Sequence, residues 1–351
     1  MAEISINGRK IGGNHSPYII AEMSGNHNQS FEQAISILDA AVRVGADAIK
    51  LQTYTADTLT LNCSSEDFVI KNDDSPWNDK SLYDLYEEAH TPWEWVEQIF
   101  DEAKKRNIEC FSSVFDESSV GFLENIGVSA YKIASFENNH IPLIRKVAGT
   151  KKPLIISTGA SSEIEIEEAV ENAREAGCVE LAILKCTSDY PAKISDSNIS
   201  SIPYLLDKFQ CVVGLSDHTL GIGVAVGSIA LGAAIVEKHF ITSRELGGVD
   251  SAFSADEDEF QMLVRETKNA WEAIGKTTFE LSDGEKKSLM FKRSIYACKA
   301  IRKGDTFTQD NIRIVRPGYG LHPRHYNDLI GKICHKDLET GDRLDSSFLT
   351  S

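Results

Sequence analysis

The sequence predicts a (β/α)8 barrel followed by a small β-rich domain, and three observations carry that expectation. Short apolar runs rich in β-branched residues recur along the first 240 residues, each followed by a turn signal and a helix-period stretch. There are eight such runs, and eight β-then-α units in about 275 residues match the strand count and length of a closed barrel. An open, doubly wound sheet is the competitor, but no G-x-G-x-x-G follows the first run and no switch point stands out.

Taken in order, the expected strands are 18–23 (YIIAEM), 48–53 (AIKLQT), 108–114 (IECFSSV), 130–135 (AYKIAS), 153–159 (PLIISTG), 181–188 (LAILKCTS), 212–218 (VVGLSDH) and 235–240 (IVEKHF). Helical periodicity fills the intervals, most plainly over 31–44, 92–106, 162–176 and 256–274. The segment 220–236 is free of charge but holds four glycines and is bracketed by Asp217, His218, Glu237 and Lys238, which suits a small-residue helix running into a buried strand, not a membrane span. After the second strand a long loop, 54–91, leads through SPWNDKSLYDLYEEAHTPWEW, a stretch that holds three of the four tryptophans; such loops serve as covers or functional lids.

The barrel is expected over 1–280, a polar linker over 281–290 and the second domain over 291–351. Two stretches of that domain echo each other, KAIRKGDTFTQDNI from Lys299 and KDLETGDRLDSSFL from Lys336. Two copies predict a compact module with pseudo-twofold symmetry, since a solenoid needs at least three repeats.

Composition excludes several classes of function. The 36 Lys and Arg against 53 Asp and Glu leave a formal charge of -17, which disfavours nucleic acid and anionic membranes as partners. The N-terminus lacks the apolar core of a secretory signal. The seven cysteines are scattered without a C-x-x-C pair, which argues against structural zinc or a disulfide framework and fits a reducing cytoplasm.

Barrels of this kind place their active sites at the C-terminal ends of the strands, and here those ends are polar: Glu22, Lys50 and Gln52, Ser112 and Ser113, Lys132 and Ser135 with Glu137 beyond, Lys185, Ser188 and Tyr190, Ser216 to His218, and Glu237 to His239. An apolar core would not tolerate so many unless they paired with one another or with a ligand. His218 and His239 end neighbouring strands about 4.8 Å apart, so both imidazoles can reach one divalent ion. Two protein ligands leave water and substrate to complete the shell, which suits Mn²⁺ or Mg²⁺. The bland reading is a pair of ordinary hydrogen-bonded histidines. Lys50 and Lys132 lie mid-strand, where a cation needs an anion; either each pairs with a carboxylate such as Glu22, or together they bind phosphate and carboxylate oxygens with serine hydroxyls. Lys238, of opposite parity to His239, reads as an outward ion pair. Lys132 and Lys185 are also candidates for Schiff-base chemistry.

The segments IIAEMSGNHNQS, GADAIKLQTY, AYKIASFE, LIISTGA, LKCTSDYP, GLSDHT, EKHF and RPGYGL, in this order, resemble the sialic acid synthase family, whose members join phosphoenolpyruvate to an N-acylated amino sugar. The resemblance spans essentially the whole chain, and its C-terminal part is similar to the antifreeze-like (SAF) domain of that family. Within the family, AEMSGNHN, KLQTYTADT and LYDLYEEAHTPWEW resemble pseudaminic acid synthases more than N-acetylneuraminate synthases.

By position, the resemblance implies a metal on His218 and His239, Mn²⁺ first with Mg²⁺ or Co²⁺ as alternatives. It implies phosphoenolpyruvate binding by Lys50, Ser113, Lys132, Ser135, Ser188 and Ser216; Ser113 and Ser188 stand where some relatives have Thr and Asn. Glu22, Tyr190, Asp250 and Arg316 match sugar-side positions, and Glu22 and Glu137 match catalytic ones, together with the two histidines. Arg316 matches an arginine delivered to a partner's barrel, which implies a domain-swapped homodimer. The implied reaction is attack of C3 of phosphoenolpyruvate on the open-chain sugar's aldehyde, then water addition at C2 and loss of phosphate. Three rivals are a neuraminate or legionaminate synthase on the same scaffold, a pyruvate aldolase and a non-catalytic sugar- or ice-binding protein.

Overall fold

The computed structural model describes residues 2–71 and 77–350; Ser75 and Pro76 of the long-loop motif lie outside the described residues. The chain divides into two compact units, Met1–Gly275 and Lys276–Ser351.

In the first unit eight parallel strands close into a barrel: β3 (Tyr18–Glu22), β4 (Ala48–Thr53), β5 (Glu109–Val114), β6 (Tyr131–Ile133), β7 (Leu154–Ser157), β8 (Leu181–Cys186), β9 (Val212–Asp217) and β10 (Ile235–His239), with β10 pairing back onto β3. These are the eight apolar runs, the second with the expected bounds and the others trimmed at one or both ends. They read as near-continuous apolar stretches because both faces of a parallel sheet are covered, one by the barrel interior and the other by helices. Residues such as Ile19, Ile49, Val213 and Val236 are fully buried against helices that include Phe31–Arg43, Trp93–Lys105, Glu163–Glu175 and Glu257–Ile274. The helix starts are set by side chains: Ser30 accepts from the Gln33 amide, and Ser162 and Asp256 form capping boxes with Glu165 and Glu259. The uncharged segment before β10 is a helix over Gly223–Ala230. Among the described residues no helix is long and apolar enough to cross a membrane.

An element absent from the sequence expectation precedes the barrel. Strands β1 (Glu3–Ile6) and β2 (Arg9–Gly12) form an antiparallel hairpin, and the Glu180 carboxylate pins it by accepting from the Ser5 amide at 2.7 Å. Ile4, Ile6 and Ile11 point into the barrel's apolar core.

The second unit holds a short helix, Asp283–Ser288, capped by Ser282, within the stretch expected to be a linker. Strands β11 (Ser294–Ala297) and β12 (Ile312–Val315) pair antiparallel. The two repeats face each other: Ile301 and Leu338, equivalent positions in them, exchange both backbone hydrogen bonds at 2.8 Å. The bridges Tyr296 to Arg343 and Thr306 to Ile333 are interchanged by the same pseudo-twofold. Ile295, Ile301, Phe307, Leu338, Leu344 and Phe348 form the small core between the repeats.

Candidate active site

Strand register decides which polar side chains meet inside the barrel. Glu22 lies level with Lys50 and with His239, Ser113 with Lys132, and Ser216 with Glu237. Residues side by side in a parallel sheet point to the same face, so all of these project inward. Their neighbours of opposite parity project outward: Ser112 bonds Thr53 at 2.7 Å, Lys185 donates to the Cys186 carbonyl at 2.9 Å, and Lys238 pairs with Asp217 at 2.8 Å. Lys238 is thus the expected structural ion pair, buried outside the strands.

The interior lysines are held by carboxylates. Lys50 Nζ lies 2.7 Å from Glu22 Oε2 and 2.8 Å from Ser113 Oγ. Lys132 Nζ donates to both oxygens of Glu237, at 2.9 and 3.0 Å. Glu237 also stands 3.6 Å from Lys50 and accepts from Ser216 at 3.4 Å. All four charged groups are nearly inaccessible to solvent, and two cations matched by two anions make that burial tolerable. Burial alone would lift Glu237, but Lys132 and Lys50 outweigh it and hold the carboxyl down at about 2. Burial lowers Lys132. For Lys50 the pull of burial is overcome by Glu22 and Glu237, which raise it.

Hydroxyls and one amide continue the polar surface past the ends of β6, β7 and β8. Gly159 N donates to Ser135 Oγ at 3.1 Å. A Cβ on Gly159 would overlap Ser188 Oγ and stand 2.7 Å from Ser135 Oγ, so only glycine lets the loop after β7 come this close to the two serines. Ser157, at the end of β7, is buried with an unpaired hydroxyl. Cationic amines, free hydroxyls and a backbone N–H in one recess form an anion cradle.

Beside the cradle stand the histidines, ring centroids 5.4 Å apart. His218 Nδ1 lies 2.9 Å from the Thr187 carbonyl; as the donor there, it leaves the lone pair on Nε2. Cys186 Sγ is 3.8 Å from the same nitrogen. Against the effect of burial, His218 holds the Cys186 thiol down at about 6. Burial, with His218 adding to it, pushes His239 well below the usual imidazole range, and its Nδ1 is buried without a hydrogen-bond partner. Asp250 Oδ2 is 3.8 Å from that nitrogen and accepts a hydrogen bond from Ser24. Among the described residues no group of three or more His, Cys, Asp or Glu could hold a metal ion. Two adjacent imidazoles, one with an orphaned nitrogen, fit a divalent ion that keeps water or substrate as its remaining ligands.

Glu137 lies on the short helix after β6, Ser135–Glu137. One of its oxygens is buried and unpaired, and burial pushes its carboxyl up to about 7. Tyr190 packs against His218 with the rings tilted and their centroids 4.3 Å apart. The barrel therefore gathers Glu22, Lys50, Ser113, Lys132, Ser135, Glu137, Ser188, Tyr190, Ser216, His218, His239 and Asp250 at one end. Arg316 belongs to the second unit, where it is exposed. Sequence reasoning passed over Ser157 and Gly159, and noted Glu237 without seeing it as the partner of Lys132. It noted Gln52 without its partners: Gln52 Nε2 bridges Glu22 at 2.7 Å and Ser24 at 3.0 Å. Strand parity could have found Glu237, Ser157 and Gln52.

A closed parallel barrel with a lysine-lined anion cradle and a histidine pair at its C-terminal mouth defines the class of barrel enzymes that work on anionic substrates. Residues 37–279 match the NeuB family and residues 292–347 the SAF domain; the chain belongs to the NeuB family. Pseudaminic acid synthase of Campylobacter jejuni is 46% identical, covering 94% of this chain and 96% of the relative. Pseudaminic acid synthase of Helicobacter pylori is 39% identical, covering 93% and 96%. The crystal structure of N-acetylneuraminic acid synthetase from Leptospira borgpetersenii, in complex with citrate, superposes with a TM-score of 0.71 at 31% identity, covering 82% of this chain and 94% of that one.

Proposed function

We propose that the chain condenses phosphoenolpyruvate with 2,4-diacetamido-2,4,6-trideoxy-L-altrose to give pseudaminic acid and phosphate. The observation that carries the chemistry is the adjacency of the anion cradle to the histidine pair. Identity to pseudaminic acid synthases over nearly the whole chain supports the choice of sugar.

In this reading Lys50 and Lys132, with Ser113, Ser135, Ser188 and Ser216, hold the phosphate and carboxylate of phosphoenolpyruvate. Lys132 and Lys50 already have a buried counter-charge in Glu237, which offsets the cost of burying the two amines before the anion arrives. Ser157 and the amide of Gly159 extend the cradle. A divalent ion on His218 and His239, Mn²⁺ first, would supply Lewis-acid polarisation of the acceptor's aldehyde oxygen. Glu22, Tyr190 and Asp250 orient the open-chain sugar, so that C3 of phosphoenolpyruvate forms the new C–C bond to the aldehyde carbon and the aldehyde oxygen takes up a proton. Positive charge then develops at C2. Glu137, whose carboxyl titrates near 7, accepts a proton from the water that adds there. The tetrahedral adduct breaks its C–O bond and phosphate leaves.

Arg316 enters a partner's barrel in this reading, making the working form a domain-swapped homodimer. The seven cysteines are free thiols, which suits a cytoplasmic enzyme. The test is phosphate release with phosphoenolpyruvate and a panel of acceptors that includes N-acetylmannosamine and the legionaminate precursor. Release with the altrose derivative above the others supports the reading; better turnover of another acceptor transfers the assignment to that sugar.

A further inference from the structure

The long loop after β4 delivers one side chain to the mouth of the barrel. Trp77 is half-buried, and its indole Nε1 donates to the Val249 carbonyl at 2.9 Å, next to Asp250 in sequence. That bond uses the ring's polar edge and leaves apolar surface. The indole lies 5.7 Å from Tyr190 and 6.2 Å from Phe253, centroid to centroid. Tyr190 and Phe253 touch each other at 5.2 Å. Tyr190 reaches His218 at 4.3 Å and Phe253 reaches His239 at 5.0 Å. The three rings form one aromatic wall, starting at the histidine pair and ending at Trp77.

An extended six-carbon chain is about 6 Å long. The wall runs about 10 Å from His218 to Trp77, so a sugar whose aldehyde is held a few ångströms in front of the histidines and whose carbons follow the wall brings its far end within van der Waals reach of the indole. We infer that Trp77 is a specificity-determining residue, whose apolar surface takes the C6 methyl of a 6-deoxy acceptor and leaves a C6 hydroxyl without a hydrogen-bond partner. This rests on the condensation proposed above. A buried hydroxyl with no partner is penalised, and sites that reject only an added hydroxyl reach about a hundredfold discrimination.

The experiment compares two acceptors that differ only at C6, the 2,4-diacetamido-2,4,6-trideoxy sugar and its 6-hydroxy counterpart, by the ratio of kcat/KM at saturating phosphoenolpyruvate. Wild type is expected to favour the deoxy sugar by about a hundredfold. Trp77→Ala is expected to narrow the ratio about tenfold, mostly by losing the deoxy sugar, with KM for phosphoenolpyruvate unchanged. Trp77→Phe keeps an aromatic ring but gives up the bond to Val249, and is expected to keep most of the ratio. A second readout is independent of turnover: the alditol of the deoxy acceptor, which has no aldehyde to react, should change tryptophan fluorescence in wild type and not in Trp77→Phe.

An unchanged ratio in Trp77→Ala overturns the inference, including the case in which both acceptors fall together, which a role confined to pinning the Asp250 loop would produce. No phosphate release by wild type with any acceptor overturns the proposed reaction and the inference with it. Turnover of both sugars by wild type without discrimination removes the wall and leaves the reaction standing.

Discussion

Glu137 owes its proposed role to burial. A carboxyl lifted to about 7 is half ionised at neutral pH, where an ordinary glutamate is fully ionised and a weaker base. A base must be deprotonated, so kcat for phosphate release should rise with pH through about 7. Glu137→Gln should abolish that rise and lower kcat by about a hundredfold or more. A wild-type profile that stays flat across this range would remove Glu137 from the proton transfer. His27 shows the same physics turned to stability. Its ring is buried, holds Thr91 at 3.2 Å and accepts from the Gln29 amide at 3.2 Å, and burial lowers it to about 4. The unfolded chain binds a proton at about 6.5, so the stability that neutral His27 gives is complete above that pH and is lost as pH falls through 4. The loss amounts to about 3 kcal/mol over that interval. Urea unfolding at pH 7 and pH 4.5 should show a smaller drop in His27→Gln than in wild type; equal drops would place the lost stability on the carboxylates.

At the scale of elements, the site is assembled by loops that approach one another where strands end. Gly159 marks the tightest approach. Gly159→Ala should leave the barrel folded, because the obstruction is two serine side chains and not backbone, while raising KM for phosphoenolpyruvate about tenfold or more as Ser135 and Ser188 are pushed out of the cradle. An unchanged KM would place the anion elsewhere. The sequence made the strands legible because each is a continuous apolar run, and it made their polar ends legible because those residues break the run. It did not disclose partnership. Lys132 and Glu237 are 105 residues apart and meet only across the barrel interior, so the expectation could state that Lys132 needs an anion but not which one. Trp77 was visible only as part of a long loop, since its position depends on Val249 and Phe253, far along the chain. The N-terminal hairpin did have a local signal, Asn7-Gly8 between two isoleucine-bearing stretches, the favoured two-residue turn.

The whole molecule is two units with separate cores. Its core is small: two repeats closed on each other by backbone hydrogen bonds around a few buried apolar side chains. The exposed Arg316 follows β12, and an exposed guanidinium is available to a site on another chain. If it completes a partner's barrel, Arg316→Ala and His218→Ala subunits should each be nearly inactive alone and should complement each other when mixed. In a hybrid dimer the intact barrel of the Arg316→Ala subunit receives the intact arginine of the His218→Ala subunit, while the other site lacks both. Random reassortment makes half of the dimers hybrids with one working site each, so the mixture should recover about a quarter of wild-type phosphate release per subunit. Recovery should need time or mild denaturant for subunits to exchange, and size-exclusion chromatography should show dimers throughout. Action within one chain predicts no recovery at any mixing ratio, because each polypeptide would then carry its own defect.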